Sequence, residues 1–326
     1  MKVLVTGASG FVGSHLAETL IKKGYDVHCL IRGTSSMRWL KDAKVNFVYG
    51  DLRDADSLTG AVKDVDYIFH SAGLVKAVSR QGYMDANYIG TKNILSAVSR
   101  SANILKRFIH ISSLSVTGPV GLNSPADETT FCRPVSDYGA SKLAGENEAV
   151  RYMKELPITI IRPPVVYGPR DVAVYIFFQL ARKGILPYIG GRKFYSLIYV
   201  KDLVDGIILS AESKVAEGRT YFIANDEHYS FQSLMSLIAS ALGVRGAVTF
   251  RIPDGVVCSV ASAVEHAYRL FGRATFFNRE KAMEIKARHW ICSNELAKRE
   301  IGFSPAISLA DGLKETAEWY REMGWV

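Results

Sequence analysis

The chain has 326 residues, 48% of them apolar and 22% charged, with a formal net charge of +8. That is ordinary globular composition, with room for a sizeable core in one two-lobed unit or two domains. No apolar run is long enough to span a bilayer, no run of five like charges or nucleic-acid motif is present, and the four cysteines (Cys29, Cys132, Cys258, Cys292) fall in no metal-binding spacing. The expectation is a soluble, cytoplasmic protein with reduced thiols, no metal and no nucleic-acid partner.

The chain opens on KVLVT (2–6), a β-branched run that reads as a strand rather than a signal peptide. The stretch VTGASGFVGSHLAE then places Gly7, Gly10 and Gly13 between that strand and an amphipathic helix near 11–23. Gly7 suits a tight turn, Gly10 a close approach of backbone to a pyrophosphate, and Gly13 close packing of helix on strand. The helix start adds free N–H groups and partial positive charge. Ser9, Phe11 and Val12 join these glycines as expected dinucleotide contacts.

The second strand is DVHCLI (26–31). An NAD enzyme usually carries an acid at its end, for the ribose diol. Here Ile31 stands in that place, followed by Arg32, Gly33, Thr34, Ser35 and Ser36. A guanidinium with neighbouring hydroxyls suits a 2′-phosphate, so Arg32 and Ser35 favour NADP(H), with NAD(H) the alternative.

Further strand runs follow at 45–49, 66–70, 107–112 and 158–162, separated by helix-like stretches near 54–63, 85–101 and 138–155. The runs are apolar on both faces, as in a buried parallel sheet. Alternation of strand and helix predicts an α/β, Rossmann-type doubly wound parallel sheet. After RPPVVYGPR (162–170) the pattern loosens. A strand–helix unit at 196–211 and a strand at 220–224 are expected to return to the main sheet. From Ser230 onward the chain reads mainly helical, with Ser293 and Ser308 as N-caps and Asp311 three residues after the second. The expected division is a dinucleotide-binding domain over 1–170 and 196–229, and a smaller, mainly helical substrate lobe over 171–195 and 230–326.

Within SDYGASKLAGE (136–146), Tyr138 and Lys142 are four residues apart on an expected helix, so their ends can reach one site. A free tyrosine titrates at about 10 and is a poor base at neutral pH. A nearby ammonium is expected to lower that value, so that Tyr138 exchanges a proton with an alcohol or carbonyl as hydride moves.

Taken in order, these stretches resemble the extended short-chain dehydrogenase/reductase family, also described as the NAD-dependent epimerase/dehydratase family. GDLRD aligns Asp51 with the acid that contacts the adenine amino group, with Leu52 beside the ring. HSAG (70–73) places Ser71, Ala72 and Gly73 near the cofactor, with His70 in the floor beneath. NYIGT supplies Asn87, and YVKDLVDG (199–206) continues the match. RPPVVYGP is expected to form the nicotinamide wall through Pro163 and Val165. The resemblance also implies that Lys142 holds the nicotinamide ribose. A third hydroxyl should grip the substrate oxygen. Counting back five residues from Gly118 in ISSLSVTG selects Ser113, with Ser112 as the alternative. Asp202 reads as a first-turn residue of a helix rather than a catalytic acid. Homodimers are common in the family, and 85–101 with 138–155 would form the contact.

Family members differ in what surrounds the hydride transfer. Dehydratases carry an Asp-Glu pair directly after the active hydroxyl, where this chain has Leu114 and Ser115. Related decarboxylases carry a Glu where Ser115 stands. Thr117 occupies the place of the Tyr usual in epimerases. SSLSVTGP and EIKARHWICSNELAKREIGFSP resemble the 3β-hydroxysteroid dehydrogenase-like and dihydroflavonol reductase-like branches. The expected activity is interconversion of a small-molecule carbonyl and a secondary alcohol. The alternatives are an NDP-sugar 4-epimerase that retains NAD, favoured by HSAGLVKAV, and a non-catalytic NADP(H)-binding protein. Arg192, Lys193 and Arg273 read as surface charges that can meet a substrate phosphate. The apolar stretch 255–277 reads as lid packing, a roof over a hydrophobic substrate, or a membrane-facing surface.

Overall fold

The computed structural model describes residues 1–326 apart from 102–104, 190, 273, 276, 277 and 288. In chain order the strands are β1 (Lys2–Thr6), β2 (Asp26–Ile31), β3 (Asn46–Tyr49), β4 (Tyr67–His70), β5 (Arg107–Ile111), β6 (Ile158–Arg162), β7 (Val165–Tyr167), β8 (Ile185–Ile189), β9 (Phe194–Tyr199), β10 (Thr220–Phe222), β11 (His228–Ser230), β12 (Val248–Ile252) and β13 (His289–Trp290). Seven of them form the main sheet in the order β10-β6-β5-β4-β1-β2-β3, every pair parallel. This is the Rossmann-type sheet expected from the alternating pattern.

Alternate residues of each strand feed opposite cores. Val3 and Val5 face one side, with Leu16 and Leu20 of α1 (Phe11–Lys22) and Leu203 and Ile207 of α6 (Val200–Glu212). Leu4 faces the other, with Ile94 and Val98 of α3 (Gly90–Arg100) and Ala149 of α4 (Asp137–Tyr152). Burial on both faces is why the strand runs lack polar alternation.

Two expected helices differ. Residues 54–63 form only a short 3-10 turn, Asp56–Leu58. Ser57 Oγ donates to the Asp54 carbonyl (2.7 Å) and accepts the Asp51 N–H (3.0 Å), so a side chain diverts the backbone from helix. The expected helix over 85–101 starts earlier. It runs from α2 (Arg80–Met84) through a π turn (Asp85–Ile89) into α3.

The remaining elements are α5 (Tyr175–Arg182), α7 (Phe231–Leu242), α8 (Asp254–Leu270), α9 (Arg279–Lys286), α10 (Glu295–Ile301) and α11 (Leu309–Glu322). β9 was expected in the main sheet. Instead it is the spine of a second sheet with β7, β11 and β13. β8 and β12 form a separate parallel pair, so the segment after Ser230 is less purely helical than its sequence suggested. Tyr167, Phe178, Tyr199, Ile238, Leu313 and Tyr320 build the core of this region.

Ser308 caps α11 as expected, its Oγ accepting the Asp311 N–H at 3.2 Å. Ser293 stands one residue before the cap position of α10, its Oγ accepting the Glu295 N–H at 3.3 Å. The cap position is Asn294, whose amide donates to the Ala224 carbonyl (2.7 Å) and to Asp226 (2.8 Å), tying α10 to the end of β10. Asp202 lies in the first turn of α6 and accepts the N–H groups of Ala306 and Ile307, both at 3.1 Å.

Candidate active site

The expected site residues lie at the carboxyl edge of the main sheet, around the switch point where β1 sits between β2 and β4. Gly7 has φ +71°, and a Cβ there would meet the Ala72 backbone at 2.7 Å. A Cβ at Gly13 would meet the Gly7 carbonyl oxygen at 2.2 Å. The turn is therefore pressed between α1 and the β4 loop, and only glycine fits both places. Gly10 is the N-cap of α1, with no side-chain cap and no acid in the first turn. The free N–H groups at Phe11, Val12 and Gly13 suit a pyrophosphate. Ser9 lies in the same turn.

Arg32 is exposed immediately after β2. Its N–H donates to Ser35 Oγ at 2.9 Å, and the Ser35 N–H returns to the Arg32 carbonyl at 2.9 Å. The loop that would meet an adenosine ribose is thus pinned by the serine named for that role. Asp51, after β3, is held by Arg53 at 2.7 Å, and this bond drives its carboxyl down to about 2. Leu52 packs beside Gly90, where α3 begins.

After β4, the Ala72 N–H donates to Thr6 Oγ1 at 3.2 Å, and Ser71 precedes it in the same loop. Asn87 sits in the π turn and is buried. Its amide spans the Leu74 backbone (2.8 and 3.0 Å) and reaches Ser141 Oγ (2.9 Å). A π turn inside a longer helix is a recurrent feature of functional sites. Gly73 lies between Asn87 and Lys142, where a Cβ would stand 3.5 Å from Lys142 Nζ. His70 is fully buried, bridging Thr6 (2.8 Å) and Thr91 (3.0 Å), and burial lowers its pKa to about 3. It is a neutral strut beneath the site.

Ser113 follows β5 and caps a short 3-10 turn, accepting the Ser115 N–H at 3.1 Å. Ser136 caps α4, so Tyr138 stands in the first turn of that helix. The Ser113 side chain is the neighbour that favours ionisation of the Tyr138 phenol. Lys142, one turn on, is buried, and its Nζ donates to the Ile111 carbonyl at 2.5 Å.

The titration of Tyr138 differs from expectation. Burial pushes the phenol up to about 12, the nearby Ser113 hydroxyl opposes this, and Glu284 and Tyr83 push it further up. Desolvation of the phenolate outweighs the help a neighbour gives. Lys142 is lowered to about 8 by burial, against an upward pull from Glu146. Near neutral pH the site therefore holds a phenol and an ammonium.

Several supporting residues went unassigned in the sequence. Glu146 and Arg162 form a buried ion pair, and Ser112 donates to Glu146 at 2.6 Å. Ser112 is thus committed to the carboxylate. Glu146 is four residues after Lys142, a spacing that was available in the sequence. Glu280 and Glu284 of α9 clasp the start of α4, at the Asp137 N–H (2.7 Å) and Ser136 Oγ (2.6 Å). Nothing local could have announced that long-range contact. The Tyr83 ring lies 6.1 Å from that of Tyr138. Pro163 is buried after β6, its carbonyl accepting the Leu114 N–H at 2.8 Å, while Val165 is exposed at the start of β7.

Lys193 is not a surface charge. It is buried and donates to Asp254 (2.9 Å) and to the Ile285 carbonyl (2.7 Å). Arg192 is exposed over the Phe194 ring, and Arg273 lies outside the described residues. All four cysteines are free, and no cluster of metal-ligating side chains occurs among the described residues.

The chain belongs to the NAD dependent epimerase/dehydratase family, which its residues 3–224 match. It is 30% identical to the ceramide reductase of Caulobacter vibrioides (strain NA1000 / CB15N), over 99% of this chain and 96% of that protein. It is 26% identical to the human decarboxylating sterol-4-alpha-carboxylate 3-dehydrogenase, over 98% of this chain and 88% of that one. Its fold matches the UDP-glucuronic acid 4-epimerase of Bacillus cereus, solved with UDP-glucuronic acid and NAD. The TM-score is 0.79 at 26% identity, covering 99% and 100% of the two chains. The protein is therefore an enzyme of NAD-dependent epimerase/dehydratase type with oxidoreductase relatives.

Proposed function

We propose that this enzyme is an NADPH-dependent reductase that converts a carbonyl of an apolar, lipid-like substrate to a secondary alcohol. The observation that carries the reading is the Tyr138 phenol, pushed up to about 12 by burial, with Lys142 buried one turn along α4. A phenol is the form that gives a proton, so the site suits reduction. Tyr138 donates its proton to the substrate oxygen. The Ser113 hydroxyl donates to the same oxygen and aligns it. Lys142, as an ammonium, offsets negative charge developing there and holds the nicotinamide ribose. The bound nicotinamide supplies the hydride, and hydride plus proton complete the alcohol.

Arg32, exposed past the end of β2, supports a 2′-phosphate on the cofactor. Leu114 and Ser115 offer no acid–base pair for elimination. Lys193, spent on Asp254, is not available to a sugar diphosphate, which weighs against the 4-epimerase. The ceramide and sterol relatives support a lipid-like substrate. The reading includes a cytoplasmic enzyme with reduced thiols. It also includes a homodimer through α3 and α4, where a solvent-open cleft of about 380 Å³ runs past Arg100, Glu148, Arg151 and Glu155.

The test is NADPH-dependent turnover of a long-chain ketone panel by the purified protein and by Tyr138→Phe. The variant should lose roughly a hundred- to ten-thousandfold in rate, with NADPH affinity preserved. Wild-type turnover by Tyr138→Phe would remove the assignment.

A further inference from the structure

We propose that Trp39 and Arg170 are positioning residues for cofactor selectivity, a role that rests on the NADPH reading and deepens it: they hold the loop after β2 so that Arg32 meets the 2′-phosphate. The backbone of this loop bonds locally. Arg32 pairs with Ser35, and the N–H groups of Leu40 and Lys41 donate to the Met37 carbonyl at 3.0 and 2.9 Å. Such bonds set the shape of a loop and leave its place on the protein to side chains. Leu40 is fully buried in the core shared by β1, β2 and α1. Trp39 stands beside it. Two guanidiniums lie over its ring, Arg38 at 4.5 Å and Arg170 at 5.1 Å from the centroid, and Trp319 of α11 packs at 5.7 Å.

Arg170 joins that loop to the glycine turn. Its Nη1 donates to Ser14 Oγ at 3.0 Å and its Nη2 to Glu18 at 2.6 Å, both on α1. Ser14 Oγ in turn donates to the carbonyl of Phe11, the first residue of α1, at 3.0 Å. One guanidinium thus fixes the loop after β2 against the helix start that suits the pyrophosphate. The charge of Arg170 is spent on Glu18, so Arg170 acts through Trp39 rather than on a phosphate. Arg32 and Arg38 remain exposed on the loop.

The backbone at Arg170 is held outside its ordinary range. Its φ is +75°, in the left-handed region where a residue other than glycine is strained. Both neighbours are pinned as well. His15 Nε2 donates to the Pro169 carbonyl at 2.9 Å, and the Tyr320 hydroxyl donates to the Asp171 carbonyl at 2.7 Å. Arg170 Nε is buried and has no hydrogen-bond partner among the described residues. The fold therefore accepts a strained backbone and an unpaired N–H while keeping this guanidinium over the indole. Strain fixed by its surroundings in this way is a feature of ligand clamps.

The experiment is calorimetric titration of the full-length, cofactor-stripped protein with NADPH and with NADH, for wild type, Trp39→Ala, Trp39→Phe and Arg170→Lys. Wild type should prefer NADPH. Trp39→Ala should lower that preference by roughly three- to tenfold, through weaker NADPH binding with NADH affinity kept. Arg170→Lys should act in the same direction, because lysine keeps a charge for Glu18 and loses the planar fork that reaches Ser14 and the ring together. Trp39→Phe keeps an aromatic face and should restore most of the wild-type preference. An unaltered NADPH/NADH ratio in Trp39→Ala and Arg170→Lys, beside a wild type that prefers NADPH, would overturn the proposal and leave the NADPH reading standing. Equal losses for both nucleotides would overturn it too, since they would mark a purely structural role. A wild type without preference would overturn both.

Discussion

Lys142 carries its charge inside the protein, and Glu146 is the residue that makes this possible. The carboxylate is itself buried, held by Arg162 and Ser112, and pulls the proton affinity of Lys142 upward against desolvation. If the ammonium is the working form, the rate of reduction should fall on the alkaline side, near the value of about 8 that burial gives Lys142. Glu146→Gln removes the upward pull, so this limb should move to lower pH. A pH profile of kcat/KM for both proteins reads the shift directly. An unmoved limb would separate Glu146 from the charge of Lys142. The Tyr–Lys spacing itself was legible in the sequence, because one helical turn fixes it. The direction of the Tyr138 shift was not, since it depends on burial in the folded site and on Glu284, which arrives from more than a hundred residues away.

At the scale of elements, the turn between β1 and α1 is the most constrained piece of the site. Gly13→Ala would drive a Cβ to 2.2 Å from the Gly7 carbonyl oxygen, a backbone atom that cannot rotate away. Overpacking of this kind costs about 1–3 kcal/mol, and the displaced helix start would face the pyrophosphate poorly. The expected result is a lower melting temperature together with weaker NADPH binding, measured by thermal unfolding and calorimetry. This turn was readable because its glycine spacing is local. The 3-10 turn at Asp56–Leu58 misled for the opposite reason, since Ser57 competes with the backbone in a stretch whose Asp, Ser, Thr and Gly residues already favour a turn. β12, the run VTFRI, carries its own strand signals: β-branched and aromatic residues between Gly246 and Pro253. They were outweighed by the helical character of the sequence on either side.

At the scale of the whole molecule, three buried histidines make the fold sensitive to acid. Burial holds His15 at about 4, His70 at about 3, and His110 well below the ordinary imidazole value of 6.5. Each folded value lies below the unfolded one. The unfolded chain therefore binds more protons between them, and stability present above pH 6.5 is lost as pH falls toward 4. Each histidine contributes up to about 1.4 kcal/mol per pH unit in that window. Denaturant midpoints measured from pH 7 to pH 4 should fall steadily, and His15→Gln should flatten the slope. Much of the main sheet could be read from the sequence because α1, α3 and α4 carry the crossovers from β1 to β2, β4 to β5 and β5 to β6. The second lobe could not. β8 pairs with β12 and β9 with β13, across separations of about sixty and ninety residues, and no local pattern specifies such partners.

The proposed enzyme is a reductase that releases its cofactor between turnovers and uses the phosphorylated form. It is tested most directly by calorimetric titration of the cofactor-stripped protein with NADPH and NADH, after the nucleotide carried through purification has been identified. The site should be empty as purified, with a roughly ten- to hundredfold preference for NADPH, the worth of a charge-assisted hydrogen bond, which Arg32→Ala erases. Tightly retained NAD, with equal affinity for the two reduced forms, would contradict it and move the 4-epimerase to first place.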